Sequence, residues 1–484
     1  MRNLLALPIF LLLCGCLKLG AAPLDFDCSA ATLKPYWVDY KASPLVAEIQ
    51  RDAAGDLEDR RAPAYLTQSI STQSIIKSAG GSDHSDPVKA DEPIYAALME
   101  SANRLKFQES SAPKSVNVLL LSGGGGWGAF GAGFLKAYHE EVLKAKLNKN
   151  ASPRFRDAPL RFDAITGVST GALQALLVAV DDYDELEKQY RIENQEQLAT
   201  RSGILGVLTR GSLFNTTPLR QRLEGLICAG PGNCPLLAKL AEPGRPKLFI
   251  GVVEIATGTL KIVNITALLQ SVYLAADGTI APNPDALKVD KAARCVAGVT
   301  LASTAIPVFL RPVRLGDAAA GAYTTYVDGG VRASVFEANT AQIAAQAQKD
   351  SQLPVVLYVI RNGPTVLRPG KLTPDTTRFA VDAKPDAGAV AMRSYSTIVN
   401  QSEVMSIAGL RLLHPDGDIN VMTADGYRSL AQQKCVKTTG DDVMFDKDFM
   451  RCLVTWGEEK AARYPWIKLS PIKASVPPVR PGDR

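Results

Sequence analysis

Residues 116–135 read VNVLLLSGGGGWGAFGAGFL and decide the fold of the chain. The first six residues are apolar and typical of a buried strand, and Gly123 then begins a run of four glycines. A helix-compatible segment follows. A strand that leads through a glycine turn into a helix leaves backbone N–H groups free to bind negative charge. The anion is either a phosphate or an oxyanion that forms during a reaction.

The phosphate interpretation fails on its context. Residues 123–128 satisfy the GxGxxG pattern of dinucleotide-binding folds. In those folds an acidic residue follows a second strand about twenty residues later. Here residues 139–150 read HEEVLKAKLNKN, which is typical of a helix end, and no Gly-Lys-Ser/Thr of a P-loop occurs. The sequence therefore disfavours nucleotide binding.

A second turn carries a nucleophile motif. Gly167, Ser169 and Gly171 form GxSxG between a short apolar strand, residues 162–166, and a helix-forming run, residues 172–180. Such a turn is sharp and presents its serine at a helix N-terminus, where the dipole favours developing negative charge. An ordinary glycine-bordered turn is the alternative, but the strand and helix on either side favour a nucleophile elbow.

A serine nucleophile needs a base, which is usually histidine. The chain has three histidines. His84 lies in a Ser- and Asp-rich linker, and His139 is predicted on the surface of the helix after the glycine turn. His414, in a turn sequence, could complete a Ser-acid-His triad.

The competing base is an aspartate. Asp328 follows a predicted strand, residues 323–327, and precedes Gly329 and Gly330. A carboxylate close to a serine hydroxyl can accept its proton directly. A turn aspartate without catalytic function is the alternative for this motif taken alone.

Strand, turn and helix occur twice in succession, which predicts a parallel α/β sheet. Residues 354–360, PVVLYVI, indicate a further strand that is buried on both faces. Residues 247–265 predict a hairpin around Thr257 and Gly258.

The three motifs together, in this order and each at a strand end, resemble the patatin-like phospholipase family. The resemblance covers roughly residues 116–410. The segments that carry it are LSGGGGWGAFGAGFL, ITGVSTGALQALL, LASTAIPVFLRPV, YVDGGV and VVLYVIRNG.

The resemblance implies a three-layer α/β sandwich with a mainly parallel central sheet. It also implies a lipid acyl hydrolase with a Ser-Asp dyad, in which Ser169 is the nucleophile and Asp328 the base. The amides of Gly123, Gly124 and Gly125 would form the oxyanion hole. Lipid acyl esters and a membrane surface are the expected partners, and no metal or cofactor is needed for this chemistry. The alternative is an inactive lipid-binding lipoprotein of the same fold.

Trp127 departs from the family pattern. The family often has Arg or Lys here, between Gly126 and Gly128, where a cation would hold the loop or add positive potential. Indole can do neither by charge, although its N–H could donate a hydrogen bond. Because backbone amides bind the oxyanion, we expect activity to survive.

Composition narrows the partners further. Lys and Arg total 54 and Asp and Glu total 49, and no long basic run occurs, which disfavours nucleic-acid binding. The absence of a CxxC pair and the scarcity of histidine disfavour a zinc site.

The N-terminus reads as a targeting segment. Arg2 is followed by an apolar stretch, residues 4–13, of the length of a signal h-region. Residues 13–16, LCGC, resemble a bacterial lipobox with Cys16 as the lipidated residue. Ordinary signal cleavage near Ala21 or Ala22 is the alternative. We expect export to the cell envelope, with a lipid anchor in the outer membrane or release to the periplasm or beyond.

Export makes disulfides possible. Six cysteines remain after Cys14 and Cys16, and the pairs closest in sequence are Cys228 with Cys234 and Cys435 with Cys452. Cys28 and Cys295 are the other two.

The predicted division of the chain has four parts. Residues 1–22 are the signal segment and residues 23–115 an N-terminal extension and linker. Residues 116–415 are the catalytic domain and residues 416–484 a C-terminal extension and tail.

Overall fold

The computed structural model describes residues 23–39, 92–107, 114–148, 150–202, 212–335, 337–366, 387–427, 435, 445–463 and 466–471. The predicted signal segment with Cys16 and most of the linker, including His84, lie outside the described residues.

The strands, in chain order, are β1 (Leu24–Asp27), β2 (Trp37–Asp39), β3 (Val116–Leu121), β4 (Ala164–Gly167), β5 (Thr200–Arg201), β6 (Phe214–Asn215), β7 (Lys247–Glu254), β8 (Thr259–Asn264), β9 (Val313–Asp317), β10 (Ala322–Asp328), β11 (Val355–Arg361), β12 (Asp418–Thr423) and β13 (Ile467–Lys468). All but β5 and β6 form one 11-stranded sheet in the described part of the chain, in the order β1-β9-β10-β7-β4-β3-β11-β12-β13, with β8 paired to β7 and β2 to β8. The strands in the centre of the sheet run parallel to one another, in the order β7, β4, β3, β11 and β12. The predicted parallel sheet and the hairpin of β7 and β8 are confirmed.

The helices are α1 (Ala30–Leu33), α2 (Pro93–Phe107), α3 (Gly128–Leu147), α4 (Pro153–Arg156), α5 (Thr170–Val178), α6 (Tyr183–Tyr190), α7 (Thr217–Ile227), α8 (Pro235–Ala241), α9 (Ile265–Tyr273), α10 (Ala286–Ser303), α11 (Glu337–Ser351), α12 (Ala387–Leu413) and α13 (Lys447–Arg463). Among the described residues, no helix combines the length and apolar character that crossing a membrane requires.

Two hydrophobic cores lie on the two faces of the sheet. Leu119 and Leu121 of β3 pack in one core with Phe134 of α3. Val118 of β3 packs in the other core with Leu98 of α2. Because helices cover both faces, the strand is apolar on both sides and the sandwich has the three layers expected.

The strand register brings the three motifs together. Leu121, the last residue of β3, is paired with Gly167, the last residue of β4, and Gly167 is paired with Ile250 of β7. Asp328, at the end of β10, is paired with Val252 of the same strand β7. The glycine turn, the serine turn and the aspartate therefore start from neighbouring points of one sheet edge.

Elements from both predicted extensions belong to this sheet. β1 adds to one side beside β9, and β12 and β13 extend the other side beyond β11. Helix α13 packs along α3, which follows the glycine turn. The division at residues 116 and 415 stays a prediction.

The described residues contain three disulfides, Cys28–Cys295, Cys228–Cys234 and Cys435–Cys452. The pairs Cys228–Cys234 and Cys435–Cys452 are the two that proximity in sequence predicted. The remaining pair joins cysteines 267 residues apart and fastens the end of β1 to α10.

Candidate active site

The glycine turn is held from behind by two polar side chains. Ser122 Oγ donates a hydrogen bond to the carbonyl of Gly123 (2.8 Å) and accepts one from the N–H of Asn362 (2.9 Å). Asn362 Nδ2 donates to the Ser122 carbonyl oxygen (2.8 Å). Gly124 has a φ of +145°, and a Cβ there would lie 2.0 Å from the Asn362 carbonyl oxygen. Only glycine fits this position.

Three backbone donors of this turn have no hydrogen-bond acceptor among the described residues. Within the described residues, the N–H groups of Gly123, Gly124 and Gly125 donate no hydrogen bond. All three residues line the cavity that Ser169 also borders. Unoccupied amides beside a serine hydroxyl are the arrangement that stabilises an oxyanion.

Ser169 occupies a strained turn between β4 and α5. Its φ of 54° and ψ of −126° are sparsely populated for a residue with a Cβ. The turn is tight because α5 starts directly against β3, and a Cβ on Gly171 would lie 2.3 Å from the Leu121 carbonyl oxygen. The turn therefore has the geometry of a nucleophile elbow.

Ser303 fixes the backbone of the elbow. The amide of Ser169 donates to Ser303 Oγ (2.9 Å), and that hydroxyl donates to the Gly251 carbonyl oxygen on β7 (2.7 Å). Sequence reasoning missed this residue, because 134 positions separate it from Ser169. Its only signal was membership of the LASTAIPVFLRPV segment.

Replacing Ser303 with alanine is expected to lower the free energy of unfolding by about 1–3 kcal/mol, because the buried Ser169 amide loses its acceptor. A fall in kcat should accompany it, since the elbow is less well fixed. Thr300→Val on the same helix is the control, because Thr300 Oγ1 is buried without a hydrogen-bond partner in the described part of the chain. Denaturant unfolding of both variants checks the prediction, and equal stabilities would contradict it.

Asp328 lies next to Ser169 at the end of β10. It is buried, with 3% of its surface exposed, and accepts a hydrogen bond from the Gly330 amide (2.7 Å). Burial raises the pKa of Asp328 to about 7, and hydrogen bonds from the Ser169 hydroxyl and the Gly330 amide oppose that rise. A carboxyl with a pKa near neutrality is suited to general-base chemistry.

The two histidines that the structure describes, His139 and His414, lie away from this site. The ring of His414 bonds to the backbone of Val355, the first residue of β11. Because β11 is parallel to β3, His414 is at the opposite end of the sheet from Ser169, roughly 20 Å away for a seven-residue strand. The triad that sequence left open for His414 is not assembled. His139 is half-buried and stacks on Tyr183, rather than lying on the surface.

Trp127 is anchored by aromatic contacts. Its ring meets Tyr427 and Phe449 edge-on, with centroids 4.9 and 5.0 Å apart. These contacts tie the glycine turn to the start of α13. An aromatic clamp, formed by Tyr427 and Phe449, thus holds Trp127 at the position where the family that the sequence resembles often has Arg or Lys.

A second buried carboxyl lies near the glycine turn. Glu403 on α12 forms an ion pair with Arg361 at the end of β11 (3.0 Å), and both side chains are almost fully buried. Burial raises the pKa of Glu403 to about 7, and the positive charge of Arg361 opposes the rise. Sequence reasoning did not identify either residue.

Two cavities meet at Ser169. The first is narrow, about 70 Å³, and mainly apolar, and its lining includes Leu173, Leu177, Leu219, Leu223 and Leu226. The second is wider, about 490 Å³, and its polar lining includes Arg201, Arg361, Arg393, Asn400, Glu403 and Asp446. In the described residues, no cluster of His, Cys, Asp or Glu is arranged to hold a metal ion.

Comparison with known proteins gives one family. The family model described as patatin-like phospholipase matches residues 119–338. Among solved structures, the crystal structure of VipD from Legionella pneumophila aligns over 72% of this chain and 68% of its own, at 14% identity and a TM-score of 0.30. That likeness is too distant to support an argument. No curated protein is significantly similar to the chain. Residues 119–338 are therefore similar in sequence to the patatin-like phospholipase family.

Proposed function

We propose that the chain is a serine hydrolase that cleaves carboxylic esters of lipids through an acyl-enzyme, with Ser169 as nucleophile and Asp328 as base. One observation carries the proposal. Ser169 lies beside the buried Asp328, whose pKa its hydroxyl lowers, and it lines the same cavity as Gly123, Gly124 and Gly125, whose amides donate no hydrogen bond among the described residues.

In the acylation step, Ser169 Oγ attacks the ester carbonyl carbon while its proton passes to Asp328. The carbonyl oxygen becomes an oxyanion, which the amides of Gly123, Gly124 and Gly125 stabilise. Loss of one such donor typically raises the barrier by about 3 kcal/mol. The tetrahedral intermediate then breaks its ester C–O bond, and the alcohol leaves with the proton that Asp328 held.

Deacylation repeats these steps with water. Asp328 accepts a proton from the water as it attacks the acyl carbon, and the same oxyanion site is used again. Collapse of the second intermediate releases the fatty acid, and the proton returns to Ser169 Oγ. No histidine takes part in this scheme.

The two cavities fit the two parts of a lipid ester. The narrow, leucine-lined cavity suits an acyl chain, because burial of each methylene is worth about 0.8 kcal/mol. The wider cavity has a mixed lining that includes charged side chains among apolar ones, and it suits the alcohol portion, which carries the polar groups of a lipid. Ser169 borders both, as the scissile bond between acyl chain and alcohol requires.

The proposal includes export and a membrane location. Residues 1–22 contain the signal segment, whose lipobox ends at Cys16, and the lipidated Cys16 holds the mature protein at the outer membrane. Three disulfides support an oxidising compartment. Residues 116–415 are the catalytic domain, with extensions at residues 23–115 and 416–484.

The experiment compares p-nitrophenyl esters of short and long acyl chains, together with phospholipid vesicles. Wild-type protein is expected to hydrolyse long-chain esters. Leu226→Trp, which fills the narrow cavity, should lower kcat/KM for long-chain esters roughly tenfold or more while acetyl ester turnover changes little. Leu287→Trp, at an exposed position of α10, is the matched control.

Two results would contradict this proposal. An equal loss on short and long esters in Leu226→Trp would show that the narrow cavity does not hold the acyl chain. No turnover of any ester by folded wild-type protein would favour the alternative, a non-catalytic lipid-binding lipoprotein.

A further inference from the structure

A buried ion pair forms the wall of the wide cavity behind the glycine turn. Arg361 Nη2 donates to Glu403 Oε2 (3.0 Å) and to Asn400 Oδ1 (2.8 Å), and Nη1 donates to the Pro364 carbonyl. The Arg361 and Glu403 side chains are 2% and 6% exposed. Burial of two charges is unfavourable unless they are paired, so removal of either partner would leave an uncompensated buried charge.

Ser334 bridges Glu403 to the surroundings of Asp328. Its hydroxyl donates to Glu403 Oε1 (3.1 Å). A Cβ on Gly330 would lie 3.2 Å from Ser334 Oγ and 3.0 Å from Asp328 Oδ1. These two oxygen atoms therefore lie close to the same position beside Gly330. A Cβ on Gly123 would lie 3.7 Å from Ser334 Oγ and 3.8 Å from Glu403 Oε1. Glu403 therefore lies directly behind the glycine turn.

This arrangement places two buried carboxyls beside one nucleophile. A base must be ionised to accept a proton, and a second negative charge nearby makes ionisation harder. Arg361 offsets that second charge. If Arg361 were absent, Glu403 and Asp328 would be two like charges with no buried cation bonded to either.

We propose that Glu403, paired with Arg361 and bridged by Ser334, is a positioning residue that balances charge beside Asp328 and so sets the lowest pH at which Ser169 is activated. This inference rests on the proposed function, because it takes Asp328 as the base.

The other groups that face these carboxyls are consistent with this role. Asp328 receives hydrogen bonds from Ser169 and the Gly330 amide, and its register partner on β7 is the apolar Val252. Negative charge on Asp328 raises the pKa of Glu403, so protonation of one carboxyl favours ionisation of the other. The remaining charged residues that line the same cavity are Arg201, Arg393 and Asp446.

The test is the pH dependence of kcat/KM in two variants. Glu403→Gln keeps the shape of the side chain and removes its charge, which leaves Arg361 as an unbalanced cation. The acidic limb of the profile is expected to move to lower pH by about one unit. At a fixed acidic pH, kcat/KM as a fraction of its plateau value should then be roughly tenfold higher than in wild type. The double variant Glu403→Gln/Arg361→Met removes both charges, and its limb should return toward that of wild type.

A role in packing alone gives a different pattern. Both variants would then lose stability and plateau activity, and the acidic limb would stay where it is in wild type. That result would overturn the inference while leaving the proposed function intact.

A second measurement does not depend on turnover. The melting temperature of Asp328→Asn relative to its parent is followed against pH in the wild-type background and in the Glu403→Gln background. In both backgrounds the difference begins at the unfolded pKa, but the pH at which it levels off should be lower in the Glu403→Gln background. A shift in this measurement without ester turnover would support the charge coupling and contradict the proposed function. An unchanged pH would contradict the coupling itself.

Discussion

Replacement of Ser169 by alanine is expected to reduce kcat for ester hydrolysis by roughly 10⁴-fold or more, because no other hydroxyl can form the acyl-enzyme. The fold should persist, since alanine meets the same strained backbone at this position and loses only one hydroxyl. Fatty acid release from vesicles and the melting temperature are measured on the same preparation.

The comparison with Ser303→Ala sharpens this prediction. That variant removes a hydroxyl from the support of the elbow and keeps the nucleophile, so it should retain measurable turnover. If Ser169→Ala retained as much activity as Ser303→Ala, the nucleophile would have to be another residue.

The second large effect is expected for Asp328→Asn. Asparagine can keep the hydrogen bonds from Ser169 and the Gly330 amide but cannot take the serine proton, so kcat should fall by roughly 10³–10⁴-fold. His414→Ala is the matched control, because His414 lies at the other end of the sheet and should leave kcat unchanged. A loss in His414→Ala with full activity in Asp328→Asn would reverse the assignment of the base.

The raised pKa of Asp328 also predicts the pH profile of wild type. The base must be ionised, so kcat/KM should fall as the pH drops below about 7.

The free energy of unfolding should change with pH in the opposite direction to kcat/KM. The folded state holds the Asp328 proton more tightly than the unfolded state, so this group lowers the stability of the fold as the pH rises from its unfolded pKa toward about 7. Asp328→Asn should therefore be more stable than wild type at neutral pH and similar to it in acid.

Local sequence patterns were sufficient for the parts of the site that lie on continuous segments. The apolar run before Gly123, the GxSxG turn and the Asp-Gly-Gly segment each contain a strand and its turn, so their positions at strand ends could be predicted. The parallel sheet then places those ends at one edge, because βαβ units order parallel strands in this way. The catalytic roles of Ser169 and Asp328 remain predictions.

The supporting residues could not be predicted, because their partners are distant in sequence. Ser303 contacts Ser169 across 134 positions, and Asn362 contacts Ser122 across 240. A lone serine or asparagine has no periodicity that marks such a contact. The Cys28–Cys295 disulfide was undetermined for the same reason.

Glu403 and Arg361 illustrate a second limit. Charged side chains are seldom buried unless paired, so a Glu on a helix reads as a surface residue. Only the packing of α12 against the end of β11 shows that Glu403 is buried and close to Arg361. The aromatic clamp on Trp127 likewise depends on Phe449, in a segment that the sequence assigned to an extension.

The most direct test of the account is peptide mapping after treatment with a fluorophosphonate, which reacts only with an activated serine. Wild-type protein is expected to carry the adduct on Ser169 and nowhere else, and Asp328→Asn should react far more slowly. Absence of an adduct on folded wild-type protein, or an adduct on another serine, would contradict the central claim that Asp328 activates Ser169.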